Sequence, residues 1–204
     1  MSIKGIICGL GNPGPRYLST RHNIGFMALD RLIQTVDGWP EEIISNKKET
    51  PDYISWQWTT RCCPETWLLL KPMTFMNRSG AALSKIFSRS PVEAGRVLII
   101  HDEVDLPLGK IRIKAGGGLA GHNGLRSIAS HLGTKEFARL RIGVGRPETG
   151  TDLAGYVLNK FLPREFEVRE ETLDRAVQAI VTFRDQGLDS ARQKIAAISN
   201  QPDL

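Results

Sequence analysis

Along this chain, short apolar runs closed by turn-forming residues alternate with stretches whose apolar residues recur at helical spacing, so strands and helices interleave. Ile3 to Gly9 is an apolar run ending in glycine, with the length and residue types of a buried strand. After a polar turn region, Phe26, Leu29, Leu32, Ile33 and Val36 recur as the core face of a helix. From Tyr53 to Thr60, the residues Tyr53, Ser55, Gln57 and Thr59 alternate with Ile54, Trp56 and Trp58. That pattern predicts a strand, with Thr66 to Lys71 as its hairpin partner and the tryptophans together on a packing face. Ala81 to Phe87 reads as a helix, and Arg96 to His101 as a second buried strand leading into His101-Asp102-Glu103. Ile111 and Ile113 alternate with Arg112 and Lys114. A loop at Gly116-Gly117-Gly118 precedes a helix over Gly124 to His131, and Arg139 to Val144 alternates again. From Glu165 onward, Leu173, Ala176, Val177, Ile180 and Val181 mark a long helix ended by Gly187. With no repeat, linker or low-complexity tract, the expectation is one α/β domain over residues 1–204, a mixed β-sheet flanked by helices.

Composition narrows the class. An apolar share of 41% and a charged share of 24% suit a globular domain of 204 residues with a real core. Cys8, Cys62 and Cys63 make neither a disulfide framework nor a zinc pattern, which points to a reducing, cytoplasmic setting. The start, Met1-Ser2-Ile3-Lys4-Gly5, lacks a signal pattern, and no apolar stretch approaches membrane-spanning length. Charge is unevenly spread. Between Gly109 and Arg146 stand eight basic residues and one acid, Glu136, whereas the whole chain carries +5. Such a local excess suits a polyanionic partner, nucleic acid first among them, although solvated side chains on different faces would give the same count.

Gly9-Leu10-Gly11-Asn12-Pro13-Gly14 follows the first strand and formally matches the dinucleotide-binding fingerprint. That fingerprint requires a helix opening within the glycines. Here Pro13, Pro15 and Ser19-Thr20 delay the helical pattern, and the acid expected after a second strand is missing, since Asp30 falls within the helix. A nucleotide-dependent oxidoreductase is therefore a distant alternative, and no cofactor is expected. The acidic group Asp102, Glu103 and Asp105 beside His101 does not read as a metal site either, because alternate residues of a strand face opposite ways.

The same glycine segment runs on as Pro15-Arg16-Tyr17 and Thr20-Arg21-His22-Asn23-Ile24-Gly25. A second block is Lys71-Pro72-Met73-Thr74-Phe75-Met76-Asn77-Arg78-Ser79-Gly80. A third is His101-Asp102-Glu103-Val104-Asp105-Leu106-Pro107-Leu108-Gly109, continuing through Lys114 and Gly116-Gly117-Gly118 to Gly121-His122-Asn123-Gly124-Leu125. A fourth is Arg139-Leu140-Arg141-Ile142-Gly143-Val144-Gly145-Arg146-Pro147. In order and spacing these blocks resemble the bacterial peptidyl-tRNA hydrolases across most of the chain. Gly38 to Pro64, with Trp39, Trp56, Trp58 and the Cys62-Cys63 pair, departs from the family, and the C-terminal segment resembles it only in its helical pattern.

The resemblance implies hydrolysis of the ester between a peptide and the 3′-terminal ribose of tRNA. Ester hydrolysis needs a water activated near neutral pH and donors for the oxyanion. The resemblance assigns His22 as the base and Asp102 as the carboxylate that orients it; without it, an isolated histidine reads as a structural residue. It also implies that Asn12, Asn77 and Asn123 hold the peptide, the terminal ribose and the reacting carbonyl, with Asn77 and Asn123 nearest the tRNA end. Taken alone, these asparagines suit turns or helix caps equally well. Tyr17, Phe75 and Met76 are expected to line the cleft, although Met76 fits plain core as readily. Lys114 and Arg141 are the expected phosphate contacts, and His122 either assists or shapes its loop. Peptidyl-tRNA is the expected partner of a monomer with no metal, no membrane association and no obligate protein partner. A non-catalytic RNA-binding relative, as among organellar splicing factors of this fold, is the competing class.

Overall fold

The computed structural model describes residues 3–62, 65–147 and 152–199; Met1, Ser2, Cys63 and Pro64 lie outside these, and with them part of the readings of the N-terminus and the cysteine pair. The element order is β1 (Ile3–Gly9), α1 (Ile24–Asp37), β2 (Glu42–Glu49), β3 (Tyr53–Thr60), β4 (Thr66–Pro72), α2 (Ser79–Phe87), β5 (Val97–Glu103), β6 (Ile111–Ala115), α3 (Asn123–Leu132), β7 (Ala138–Gly143), α4 (Leu153–Leu158), α5 (Phe166–Gln186) and α6 (Leu188–Ser199). The sheet has 7 strands in the order β2-β3-β4-β1-β5-β7-β6. Its centre, β4-β1-β5-β7, is parallel, and antiparallel pairs close both flanks.

Both sheet faces are buried, which is why the central strands read as continuous apolar runs. On β1, Ile7 packs with α1 and α5, whereas Ile6 and Cys8 face α2 and α3. Complete burial pushes the Cys8 thiol up, so it is an inert core group. The crossover helices α1 and α2 thus lie on opposite faces, and the loops beyond the carboxyl ends of β1, β4 and β5 frame a crevice. The hairpin β3–β4 forms as its alternation predicts, with Trp58 opposite Trp67 in register and both in one core.

Three elements escape the hydrophobic pattern. Strand β2 is an edge strand with no fully buried position, held by its pairing to β3. The short α4 has no buried residue, and α6 follows directly after Gly187. The delay between the first glycines and α1 is real: turns and a 3-10 segment over Arg21–Asn23 intervene, so no helix opens within the fingerprint.

Gly25 is where α1 touches the strand ends. A Cβ there would stand 2.4 Å from the Ile100 carbonyl oxygen and 2.6 Å from both the Leu10 nitrogen and oxygen, all backbone atoms that cannot swing away. Gly25→Ala is therefore expected to cost about 2–4 kcal/mol through forced backbone shifts. The corresponding fall in Tm is roughly 5–15 °C for a domain of this size. A Tm within a degree of the parent would show that α1 can move away freely.

Candidate active site

The crevice is a cleft of about 480 Å³ that brings together seven of the expected residues: Asn12, His22, Phe75, Met76, Asn77, Asp102 and Asn123. Asn12 comes from the loop after β1, His22 from the 3-10 turn before α1, and Phe75 to Asn77 from the loop after β4. Asp102 is the penultimate residue of β5, and Asn123 starts α3. Leu153, Val157 and Leu158 of α4 supply an apolar wall on which the sequence pattern was silent.

His22 Nδ1 lies 2.8 Å from Asp102 Oδ1. The carboxylate accepts, so Nδ1 carries the proton and Nε2 presents a lone pair, without a partner among the described residues. Burial of His22 opposes its protonation, but the charge and hydrogen bond of Asp102 outweigh it and raise the imidazole above its ordinary value. Burial would likewise raise the Asp102 carboxyl, yet His22 and His122 together hold it well below the usual carboxylate range. Asp102 thus favours its ionised form, and the member of the pair that titrates near neutral pH is His22.

Side-chain amides rim the base. Asn12 Oδ1 accepts the Met76 N–H at 2.8 Å, tying the β1 loop to the β4 loop. Asn23 grips the Asn12 backbone on both sides, accepting its N–H and donating to its carbonyl, each at 2.9 Å. With its oxygen occupied, Asn12 is left with an NH2 group to offer the cleft. Asn123 is not the α3 cap, since His122 holds that position; its oxygen accepts from Arg126, which again leaves the NH2 group. Asn77 is exposed within a 3-10 turn.

Met76 is both core and cleft lining: it is 4% exposed, and its sulfur sits where a side chain on Gly124 would begin, 2.6 Å from an added Cβ. Phe75 is 57% exposed and meets Tyr17 edge-on at 6.4 Å, which places Tyr17 at the rim beside the lining.

The two expected phosphate contacts lie outside the cleft lining, on the antiparallel pair β6–β7, whose strands α3 connects. In register, Arg112 faces Arg141 and Lys114 faces Arg139, so four cations share one sheet face. The local charge excess is smaller in effect than its count. Arg139 is buried and donates to the Gly116 and Gly118 carbonyls, stapling the glycine loop. Arg141 Nε donates to buried Glu103 at 2.8 Å, and Arg146 pairs with Asp105. Slight burial, and then the charges of Arg139 and Arg141, hold the Lys114 ammonium below its usual range. An anion beside Lys114 would relieve that repulsion.

Among the described residues, the set His101, Asp102, Glu103 and Asp105 does not gather its ligand atoms at one point: His101 Nδ1 meets the Asp102 backbone carbonyl, Glu103 turns to Arg141 and Asp105 to Arg146. A different trio does: ligand atoms of His22, Asp102 and His122 lie within 4.8 Å of one another. These atoms are turned on each other, however. His122 Nε2 is 3.0 Å from Asp102 Oδ1, and its Nδ1 accepts the Gly124 and Leu125 N–H groups. A cation would have to displace both histidine N–H bonds to the carboxylate. Sequence reasoning undervalued His122, because its link to Asp102 spans 20 positions and only the α3 cap brings the ring over β5.

A histidine oriented by a carboxylate at the carboxyl ends of parallel strands, ringed by amide donors, can activate water against a carbonyl. These features define a hydrolase-type site on an α/β sheet, with no serine, threonine or cysteine among the described residues that line the cleft. The family model for peptidyl-tRNA hydrolase matches residues 6–203, and the chain belongs to that family. It is 46% identical to the peptidyl-tRNA hydrolase of Oleidesulfovibrio alaskensis, covering 97% of this chain and 98% of the relative. It is 42% identical to that of Solidesulfovibrio magneticus, over 99% and 97%. The crystal structure of peptidyl-tRNA hydrolase from Acinetobacter baumannii matches with a TM-score of 0.84 at 36% identity, covering 97% of this chain and 96% of that one.

Proposed function

We propose that this protein cleaves the ester between a peptide and the 3′-terminal ribose of tRNA, with His22 as general base and Asp102 as its orienting carboxylate. The observation that carries the roles is the 2.8 Å His22–Asp102 bond, which leaves a lone pair on Nε2 in a cleft rimmed by amides. Water held at Nε2 attacks the ester carbonyl while His22 takes its proton, and Asp102 stabilises the imidazolium. Amide donors such as Asn77 and Asn123 meet the developing oxyanion. As the tetrahedral intermediate collapses, the C–O bond to the ribose breaks and His22 returns the proton to the 3′ oxygen. Peptide acid and tRNA leave, and the base is restored.

Asn12, Phe75 and Met76 are placed to receive the peptide, with Tyr17 supporting Phe75 at the rim. Lys114 and Arg141 take tRNA phosphates on the β6–β7 face. The enzyme acts as a monomer in the cytoplasm. Among the described residues no helix is long and apolar enough to cross a membrane.

Incubation with N-acetyl-aminoacyl-tRNA, followed by measurement of released tRNA, tests this reading directly. Free aminoacyl-tRNA should react more slowly. The neutral peptide N–H and C=O groups can pair with amides, whereas a free ammonium finds no unpaired carboxylate among the described residues that line the cleft, since Asp102 is occupied by two histidines and Glu103 by Arg141. Equal rates for the two substrates would show that the cleft does not read the peptide, and no release from either would remove the activity.

A further inference from the structure

His122 is the N-cap of α3, and its Nδ1 accepts from the backbone N–H groups of Gly124 at 3.1 Å and Leu125 at 3.3 Å. A ring nitrogen accepting backbone N–H bonds carries no proton. The proton of His122 therefore sits on Nε2, 3.0 Å from Asp102 Oδ1, the same oxygen that accepts His22 Nδ1–H at 2.8 Å. The ring is wedged between His22 and His101, with centroids 5.1 Å and 5.0 Å away, and its side chain is 7% exposed. Turning it over would point carbon at the α3 N–H groups, so the cap holds one orientation and one tautomer. His101 cannot compete for Asp102: its Nδ1–H donates to the Asp102 backbone carbonyl, and burial keeps its ring neutral, with a pKa pushed down to about 3.

We propose that His122 is a positioning residue which, locked by the α3 cap as an Nε2–H donor, shares the Asp102 carboxylate with His22 and so limits how strongly Asp102 holds the proton of His22. A carboxylate oxygen with two donors is a weaker acceptor for each, which keeps His22 from becoming too basic to serve near neutral pH. This rests on the proposed role of His22 for its consequence in catalysis, but not for the interaction itself. Among the described residues, no other charge competes at His22. Arg21, beside it, points to Glu165 and the Lys160 carbonyl. Helix α4 carries no charged side chain, and Tyr156 donates to the Val144 carbonyl. On α1, Asp30 pairs with Lys71, and Arg31 with Glu170 and Asp174. Glu103 of β5 turns to Arg141.

Two substitutions separate capping from donation. His122→Asn keeps a capping side chain but is too short to reach Asp102, whereas His122→Gln extends an amide donor to Asp102 and caps poorly. Ring ¹⁵N NMR of the wild-type protein should show His122 as one neutral tautomer with Nδ1 unprotonated. A protonated Nδ1 would overturn the proposal. In His122→Asn the pKa of His22, read from its own ring signals, should rise by about half a unit to one unit, the worth of one lost hydrogen bond. The acidic limb of kcat/KM should move up with it while Tm stays near the parent. His122→Gln should lower Tm and leave the His22 pKa in place. A purely structural His122 would give unchanged His22 titration in both variants, and that outcome sinks the idea. The NMR arm needs no turnover, so failure of the hydrolysis reading would leave this test standing.

Discussion

His22→Ala is expected to lower kcat for N-acetyl-aminoacyl-tRNA by roughly 10²–10⁴, the usual worth of a positioned acid–base group. The side chain is 12% exposed and its one polar partner among the described residues is Asp102, so the loss should come without unfolding. Asp102→Asn should also impair turnover. An amide in that place can turn its NH2 group toward either histidine, and His22 would then be driven to place its own proton on Nε2, where the lone pair is needed. The double variant should lose far less than the product of the single losses, because a base without its orienting partner and a partner without its base fail at the same step. Fully multiplicative losses would break the pairing. The pH profile gives an independent check. His22 acts as a base only when neutral, and Asp102 raises its pKa in the folded protein, so kcat/KM should climb through a value above the ordinary 6.5 of histidine. In Asp102→Asn that rise should shift to lower pH even though its plateau falls.

The candidate residues were legible through four blocks that resemble one family; strand ends and the loops beyond them, where periodicity breaks off, say by themselves only where an α/β site gathers. His22 and Asp102 stood in separate sequence blocks, and the parallel pairing of β1 with β5 is what makes them neighbours. What stayed hidden did so for physical reasons. Strand β2 buries little, so hydrophobic patterning has nothing to report; its backbone bonds to β3 hold it. The unburied α4 carries its apolar residues toward a cleft rather than a core. A charge count has no direction, so buried Arg139, bound to the glycine-loop carbonyls, weighed the same as Lys114. His122 looked like a loop residue because its two roles, capping α3 and donating to Asp102, exist only once helix and sheet are packed together.

Removing the Lys114 charge should raise KM for full tRNA esters about tenfold and flatten its salt dependence, while kcat changes little. Each phosphate contact releases condensed counterions, so its loss should reduce the salt slope by roughly one unit or less. Lys114 is the cleaner probe of the pair. No ion pair holds it among the described residues, whereas Arg141 is bound to Glu103, whose side chain is 3% exposed. Arg141→Ala would strand that carboxylate beside the cleft, so its effect would mix lost phosphate binding with an uncompensated buried charge. Both substitutions together are expected to weaken full tRNA by about a hundredfold if the sites act independently. A peptide esterified to a single terminal nucleoside lacks the phosphates and should be hydrolysed by Lys114→Ala at nearly the parent rate, whereas His22→Ala should disable both reactions alike. The contrast depends on distance: Lys114 stands on β6, in the antiparallel β6–β7 pair, outside the residues that line the cleft. Equal damage to the minimal substrate and to full tRNA would place Lys114 in the catalytic centre or the fold, and the phosphate assignment would fail.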